Sequence, residues 1–246
     1  MSRSRADLLL VARGLFDSRA RARAAIEAGL VTADGVVVAK PAELIDEEAE
    51  VVATAPHPWV GRGALKLVHA LELWPLNLAG RTVLDVGAST GGFTEVCLAR
   101  GAGRVFAVDV GRGQLHVSLR ADPRVVCLEG TDARSLTPAL ITVAPDLVVC
   151  DASFIGLAKV LPVPLDLAAD GADLIALVKP QFEVGPARVG KGGLVKDEAT
   201  RQWALTEVMA FLEATGWHVM ATADSPITGG DGNQEFLLHA RKSRPA

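Results

Sequence analysis

The stretch Thr82 to Val96, TVLDVGASTGGFTEV, constrains this chain more than any other. Thr82-Val83-Leu84 reads as a short buried strand; Asp85 follows, and the chain then breaks into Gly87-Ala88-Ser89-Thr90-Gly91-Gly92. Phe93 and Val96, three residues apart, begin a helix pattern. Strand, glycine loop and helix in that order hold a nucleotide-like ligand at the carboxyl edge of a doubly wound sheet. Glycine lets the backbone approach such a ligand and take dihedrals closed to other residues. The spacing G-A-S-T-G-G is not the dinucleotide fingerprint G-x-G-x-x-G, and no long phosphate loop ending in Gly-Lys-Ser/Thr is present. A second acid, Asp109, ends the next apolar run, Val105 to Val108, where a carboxylate is placed to accept hydrogen bonds from ribose hydroxyls. With Asp85 inside the turn, these features predict an S-adenosylmethionine pocket; a structural glycine turn is the bland alternative.

A chain of 246 residues, half of them hydrophobic, can bury a full core and carry a small appended domain. Its net charge of -4 excludes a uniformly basic nucleic-acid coat, so any RNA contact has to come from local patches. Cys97, Cys127 and Cys150 stand far apart in apolar runs with no Cys-x-x-Cys pair, which predicts buried free thiols, no metal site and a reducing compartment. Leu8 to Val11 is too short for a signal peptide, and no apolar run reaches bilayer length. The expectation is a soluble, cytoplasmic protein without stable membrane association. Nothing in the sequence specifies an oligomeric state.

Residues 1–54 read as a separate unit, joined by a stiff, Pro-punctuated linker at 55–61 to a larger domain at 62–246. Leu8, Ala12 and Leu15 have helical spacing. Ser18 can cap a second helix, Arg19 to Ala28, which Gly29 stops. Val31-Thr32, Asp34-Gly35 and Val36 to Val38 make a strand, a tight turn and a strand, and Glu50 to Ala53 can add another. Arg3, Arg5, Arg19, Arg21 and Arg23 gather on this unit, and arginine forks suit RNA phosphates. Charge alone suits a solvated helix face equally well.

Beyond the linker, Lys66 lies in the first turn of a helix carrying Leu67, Leu71 and Trp74. Strands then recur between helical stretches at Val105–Val108, Val125–Leu128, Leu147–Cys150 and Leu174–Val178, the pattern of a mostly parallel sheet. Asp132, after the third strand, either contacts an adenine amino group or caps the next segment. Asp151 closes the fourth strand and Lys179 the fifth, so both side chains should face one cleft. A helix at Asp197–Ala214 and a strand at Trp217–Ala221 follow, and Glu235 joins the cleft if the final strand enters antiparallel. The loop GPARVGKGG, with Arg188 and Lys191, reads as a lid or strand clamp beside that cleft, or as plain disorder. Phe154 and Phe182 either stack a flipped base or pack. One cleft thus collects Asp151, Lys179, Glu235 and Lys66. A sulfonium is already a good leaving group, so such an enzyme has to align an acceptor and remove its proton. A lysine, with an ordinary pKa near ~10.4, must lose its own proton before acting as that base. A second lysine favours that loss and two carboxylates oppose it.

The order Lys66, Asp151, Lys179, Glu235 matches the Lys-Asp-Lys-Glu tetrad of FtsJ-like 2'-O-ribose methyltransferases. The stretches LDVGASTGGFTEVCL, CDASFIGL, LVKPQFEVG and SPITGGDGNQEFL resemble the TlyA (hemolysin A) group of that superfamily. The pattern SRARARAAIEAGLVTADGVVVAKP resembles the small RNA-binding fold of a small-subunit ribosomal protein, also found ahead of pseudouridine synthase domains. The resemblance spans essentially the whole chain. It implies an α/β, Rossmann-like class I methyltransferase fold with a seven-stranded, mostly parallel sheet and a small N-terminal α+β RNA-binding domain. It implies methylation of cytidine 2'-hydroxyls in ribosomal RNA of the small subunit, the large subunit, or both. Lys179 would be the base, with Asp151, Lys66 and Glu235 positioning it and the ribose. Asp85, Gly87, Ser89, Gly91, Gly92, Phe93, Asp109 and Asp132 would hold the cofactor. Gly61-Arg62-Gly63-Ala64 departs from the usual SRGG ahead of the first lysine, and Trp59-Val60 matches the group's linker. The rivals are a base methyltransferase and a non-catalytic assembly factor. The first lacks an Asn/Asp-Pro-Pro-aromatic motif, since Asp151 is followed by Ala152-Ser153-Phe154, and the second should have lost its glycines or Lys179.

Overall fold

A computed structural model describes residues 2–243, which form two compact units divided between Pro58 and Trp59. The first unit starts with β1 (Arg3–Arg5), α1 (Ala6–Ala12) and α2 (Arg19–Glu27). It continues with β2 (Val31–Ala33), β3 (Val36–Val37), β4 (Leu44–Asp46) and β5 (Val51–Ala53). Ser18 caps α2 by accepting from the Arg21 amide at 3.4 Å, and Gly29 stops the helix at φ +71°. Asp34 and Gly35, both at positive φ, turn β2 back antiparallel onto β3. β5 pairs with the other edge of β2, and β1 pairs with β4 in a separate ribbon that the sequence did not announce. The unit's core is Ala6, Leu9, Leu10, Phe16, Ala22, Ile26, Val31 and Ile45. Of the residues with helical spacing, Leu8 lies on the exposed face of α1, and Leu15, also exposed, lies beyond the end of the helix.

The second unit contains α3 (Ala64–Leu73), β6 (Thr82–Val86), α4 (Gly92–Ala99), β7 (Arg104–Asp109), α5 (Val117–Arg120) and β8 (Val125–Glu129). Next come β9 (Leu147–Cys150), α6 (Leu157–Val160), α7 (Pro162–Leu167), β10 (Asp173–Val178), α8 (Pro180–Glu183), α9 (Glu198–Ala214), β11 (Trp217–Asp224) and β12 (Phe236–Lys242). The seven strands form one sheet in the order β11-β12-β10-β9-β6-β7-β8. All neighbours from β10 to β8 are parallel, while β12 runs antiparallel to both β10 and β11. Alternation along each strand fills two cores. Leu84, Val86, Phe106, Val108, Val148 and Cys150 pack one face with α6, α7 and α9. Val83, Val105, Leu147, Val149 and Ile175 pack the other with α3 and α4. Burial on both faces is why these strands read as continuous apolar runs.

Chain order along the sheet reverses between β6 and β9. The first crossover sends the chain toward β7 and β8, and the next returns it to β9 on the opposite side of β6. The carboxyl ends of β6 and β9 therefore flank the crevice where such folds place their ligands.

Candidate active site

Gly87, at φ +82°, turns the chain out of β6, and a Cβ there would come within 2.8 Å of the Ala152 Cα on the loop after β9. Only glycine lets these two loops touch. Its amide and that of Ala88 donate to the Val108 carbonyl at 2.9 and 3.1 Å, tying the loop to β7. Beside it opens a cavity of about 510 Å³ lined by Gly87, Ser89, Asp109, Val110, Gln114 and Asp132, with Ala152 to Ile155 opposite. Asp109 accepts the Ser89 amide at 2.8 Å on one oxygen and the Gly111 amide at 2.7 Å on the other. Each oxygen keeps a lone pair for a further donor. The loop carrying Gln114 is itself pinned by Glu129, which accepts the amides of Gly113, Gln114 and Leu115. These backbone donors, the Leu115 amide foremost, together with Arg120 hold the Glu129 carboxyl down at about 2.

Asp132 lines the same cavity, but its carboxylate is paired with Arg134 at 2.6 Å and caps the turn Ala133–Ser135. Asp132 thus caps the next segment while remaining part of the cavity wall. Asp85 needs a correction. It lies in β6 rather than inside the turn, fully buried and lining none of the cavities described here, with one oxygen accepting from Thr94 at 2.6 Å. Its second oxygen has no hydrogen-bond partner among the described residues. Burial pushes its carboxyl up to about 7, opposed by the Thr94 hydroxyl and reinforced by the negative charge of Asp151. Gly91 is also structural in placement: at φ +98° it makes room for Leu115 and Leu119, whereas Gly92 and Phe93 line a smaller cavity of about 200 Å³.

That smaller cavity also includes Gly63, Gly87, Ser89, Asp151, Ser153 and Lys179. Lys179 follows β10, and its Nζ lies 2.8 Å from Asp151 Oδ1. It also donates to the Asp151 carbonyl at 3.1 Å and to Ser153 Oγ at 2.9 Å. Lys66, on the first turn of α3, is 2.5 Å from Glu235 Oε2 and 3.7 Å from Asp151 Oδ1. All four expected side chains therefore converge, with Asp151 shared between two lysines. Glu235 arrives because β12 enters antiparallel, as its position required. Glycines leave room for the carboxylates. A Cβ at Gly63 would be 3.1 Å from Asp151 Oδ2, and one at Gly229 would be 2.7 Å from Glu235 Oε1.

Ser153 and Gln114 were not singled out by the sequence; each lies only a few residues beyond an acid that was. The loop carrying Arg188 and Lys191 is held by contacts. Asn233 accepts the Val195 amide at 2.8 Å and donates to the Gly193 carbonyl at 2.9 Å, and Arg188 lies 4.1 Å over the Trp203 ring. With Lys196, the two cations line a recess of about 240 Å³. In the first unit the arginines divide. Arg5 and Arg19 both bind the buried Asp7, at 3.0 and 2.7 Å, which gives them a structural part that charge alone did not reveal. Arg21 pairs with Asp17, Arg23 reaches Glu27 at 3.7 Å, and Arg3 is exposed on β1.

Residues 59–242 match the FtsJ-like methyltransferase family and residues 4–51 match the S4 domain. A relative from Mycobacterium tuberculosis, the 16S/23S rRNA (cytidine-2'-O)-methyltransferase TlyA, is 50% identical over 97% of this chain and 90% of its own. A solved Streptococcus thermophilus structure described as a hemolysin superposes with a TM-score of 0.79 at 40% identity, covering 99% of this chain and 90% of that one. An S-adenosylmethionine-dependent methyltransferase of Mesorhizobium loti shares the fold alone, with a TM-score of 0.52 at 16% identity over 71% of this chain and 96% of that one. With its tetrad assembled beside a glycine loop and an S4 domain ahead of it, the chain belongs to the FtsJ-like methyltransferase family, in the branch that includes TlyA.

Proposed function

We propose that the protein transfers a methyl group from S-adenosylmethionine to the 2'-hydroxyl of a cytidine in ribosomal RNA. The observation that carries this reading is Lys179 Nζ, held by Asp151 and Ser153 in the small cavity that shares Gly87, Ser89, Asp151 and Ser153 with the large one. A donor cavity and an acceptor cavity with a common wall are what in-line transfer needs. The large cavity's volume, its apolar Val86, Val108 and Ile155, and the Asp109 carboxylate at the end of β7 fit a nucleoside cofactor.

When bound, S-adenosylmethionine supplies an electrophilic methyl group on a sulfonium leaving group. Gly87 and Ser89 would give it backbone contact, Asp109 its ribose hydroxyls, and Asp132 its adenine edge. Gly91, Gly92 and Phe93 would shape the loop around it, and Asp85, through Thr94, would anchor the first turns of α4. Lys179, as the amine, accepts the ribose hydroxyl proton at Nζ while the oxygen takes the methyl group. Asp151 orients Nζ, and Lys66 with Glu235 holds Asp151 from the other side. The S4 unit, residues 1–54, would grip ribosomal RNA through Arg3, Arg21 and Arg23, with Arg188 and Lys191 adding contacts on the domain at 62–246 beyond the 55–61 linker.

The test incubates purified protein with tritiated S-adenosylmethionine and separated ribosomal subunits, then maps the label by nuclease digestion and mass spectrometry. Label on a cytidine 2'-oxygen is the expected result, and the labelled subunit identifies the substrate. Label on a base would overturn the role of Lys179. Cofactor binding without transfer would favour a ribosome assembly factor.

A further inference from the structure

Glu183 ends the short helix α8 that follows Lys179, and it lines neither the large cavity nor the small one. Its side chain reaches across to the loop after β9. Oε1 accepts the Leu157 amide at 2.9 Å, the first amide of α6. The residue capping α6 is Gly156, which has no side chain to satisfy that donor, so Glu183 supplies the cap from another element. The fit is close: a Cβ at Gly156 would fall 2.9 Å from Glu183 Oε2 and 3.2 Å from the Phe182 carbonyl.

The Leu157 amide closes a segment under strain. Phe154 sits at φ +66°, a conformation a bulky residue adopts only when its surroundings impose it, and its side chain is 90% exposed. Three ties hold that segment to the β10–α8 turn. Lys179 binds Asp151 and Ser153, the rings of Phe154 and Phe182 meet at 5.3 Å, and Glu183 caps Leu157. The first two involve groups in or at the cleft. The third is made by a side chain that lines neither cavity.

We infer that Glu183, seated against Gly156, is a positioning residue that fixes the register between the Asp151 loop and the Lys179 turn. The inference rests on the proposed methyl transfer for its kinetic readout but not for its structural one. Glu183→Ala removes the cap, and Glu183→Gln keeps a carbonyl oxygen where Oε1 stands. Hydrogen exchange of residues 152–157 in the full-length protein, without RNA, reads the loop directly. Steady-state transfer to ribosomal RNA and calorimetry with S-adenosylmethionine read its consequence.

Glu183→Ala is expected to speed exchange in 152–157 and lower kcat about tenfold or more, with a smaller weakening of cofactor binding because residues 152–155 also line that cavity. Glu183→Gln is expected to restore both. Unchanged exchange and kcat in Glu183→Ala overturn the inference, and so does equal damage from Glu183→Gln. Should Glu183→Ala fail to fold, Gly156→Ala gives the same reading, because its methyl group displaces the carboxyl; unaltered exchange and kcat there also overturn it. A wild-type protein that transfers no methyl group would refute the functional reading, while the exchange data would still decide whether Glu183 is the clamp.

Discussion

The two lysines of the cleft differ in what surrounds them. Lys66 is closest to Glu235, whereas Lys179 faces the small cavity with Asp151 and Ser153 as partners. Substituting Lys179 by Ala should therefore lower transfer by about a thousandfold or more, the scale of losing a general base, while cofactor affinity stays within about twofold. Single-turnover kinetics and calorimetry separate the two, and retained full activity would remove Lys179 as the base. Asp85 gives a pH signature. Its folded-state value of about 7 lies above the ordinary carboxylate value of 3.8, so ionisation works against the fold. Stability should fall as pH rises from about 4 to about 7 and level off above, by up to about 4 kcal/mol if the buried site does not relax. Urea midpoints at a series of pH values should show this slope in the wild type and lose it in Asp85→Asn. A wild type without the slope would mean that Asp85 finds a partner when ionised.

At the scale of the elements, legibility followed how far a signal extends along the chain. β6, β7, β9 and β10 were readable because burial on both faces leaves largely uninterrupted apolar runs, the last three ending at Asp109, Asp151 and Lys179. The convergence of Glu235 followed from one topological inference, the antiparallel entry of β12. β1 and β4, three residues each, carry no periodicity, and their pairing fixes which face of α1 is buried. Long-range caps such as Glu183 on Leu157 leave no local trace either. Asp7 shows the same limit. The Arg5 guanidinium, then Arg19, holds its carboxyl at about 2, so its contribution is full above about pH 4 and is lost as pH falls toward 2. Arg19→Ala should thus loosen the S4 unit at neutral pH, whereas Arg21→Ala, at a surface pair, should not. All four tryptophans lie in the second unit, so amide exchange over residues 6–27 is the proper probe. An increase of about tenfold is expected for Arg19→Ala alone, and equal effects would mean that Asp7 is not the anchor.

On the scale of the whole molecule, RNA has to be held by a protein with a net charge of -4. A global field cannot do this, so local cations have to supply the attraction, and counterion release counts them. Of the five arginines expected to meet RNA on the first unit, Arg5 and Arg19 are committed to Asp7, which leaves Arg3, Arg21 and Arg23, while Arg188, Lys191 and Lys196 surround the recess of the second. A triple Ala variant at Arg19, Arg21 and Arg23 would confound unfolding with lost contacts, so the informative pairs are Arg21/Arg23 and Arg188/Lys191. Each phosphate contact contributes roughly 0.7–0.9 to the slope of log K against log salt. Each double Ala variant should flatten that slope for ribosomal RNA by roughly 1–2, and the combined variant by roughly their sum. Fluorescence anisotropy between 50 and 300 mM salt, roughly the range over which such slopes are resolved, measures it. A slope altered by only one pair would assign RNA contact to one unit. Altered affinity with an unaltered slope in both would place the phosphates elsewhere on the protein.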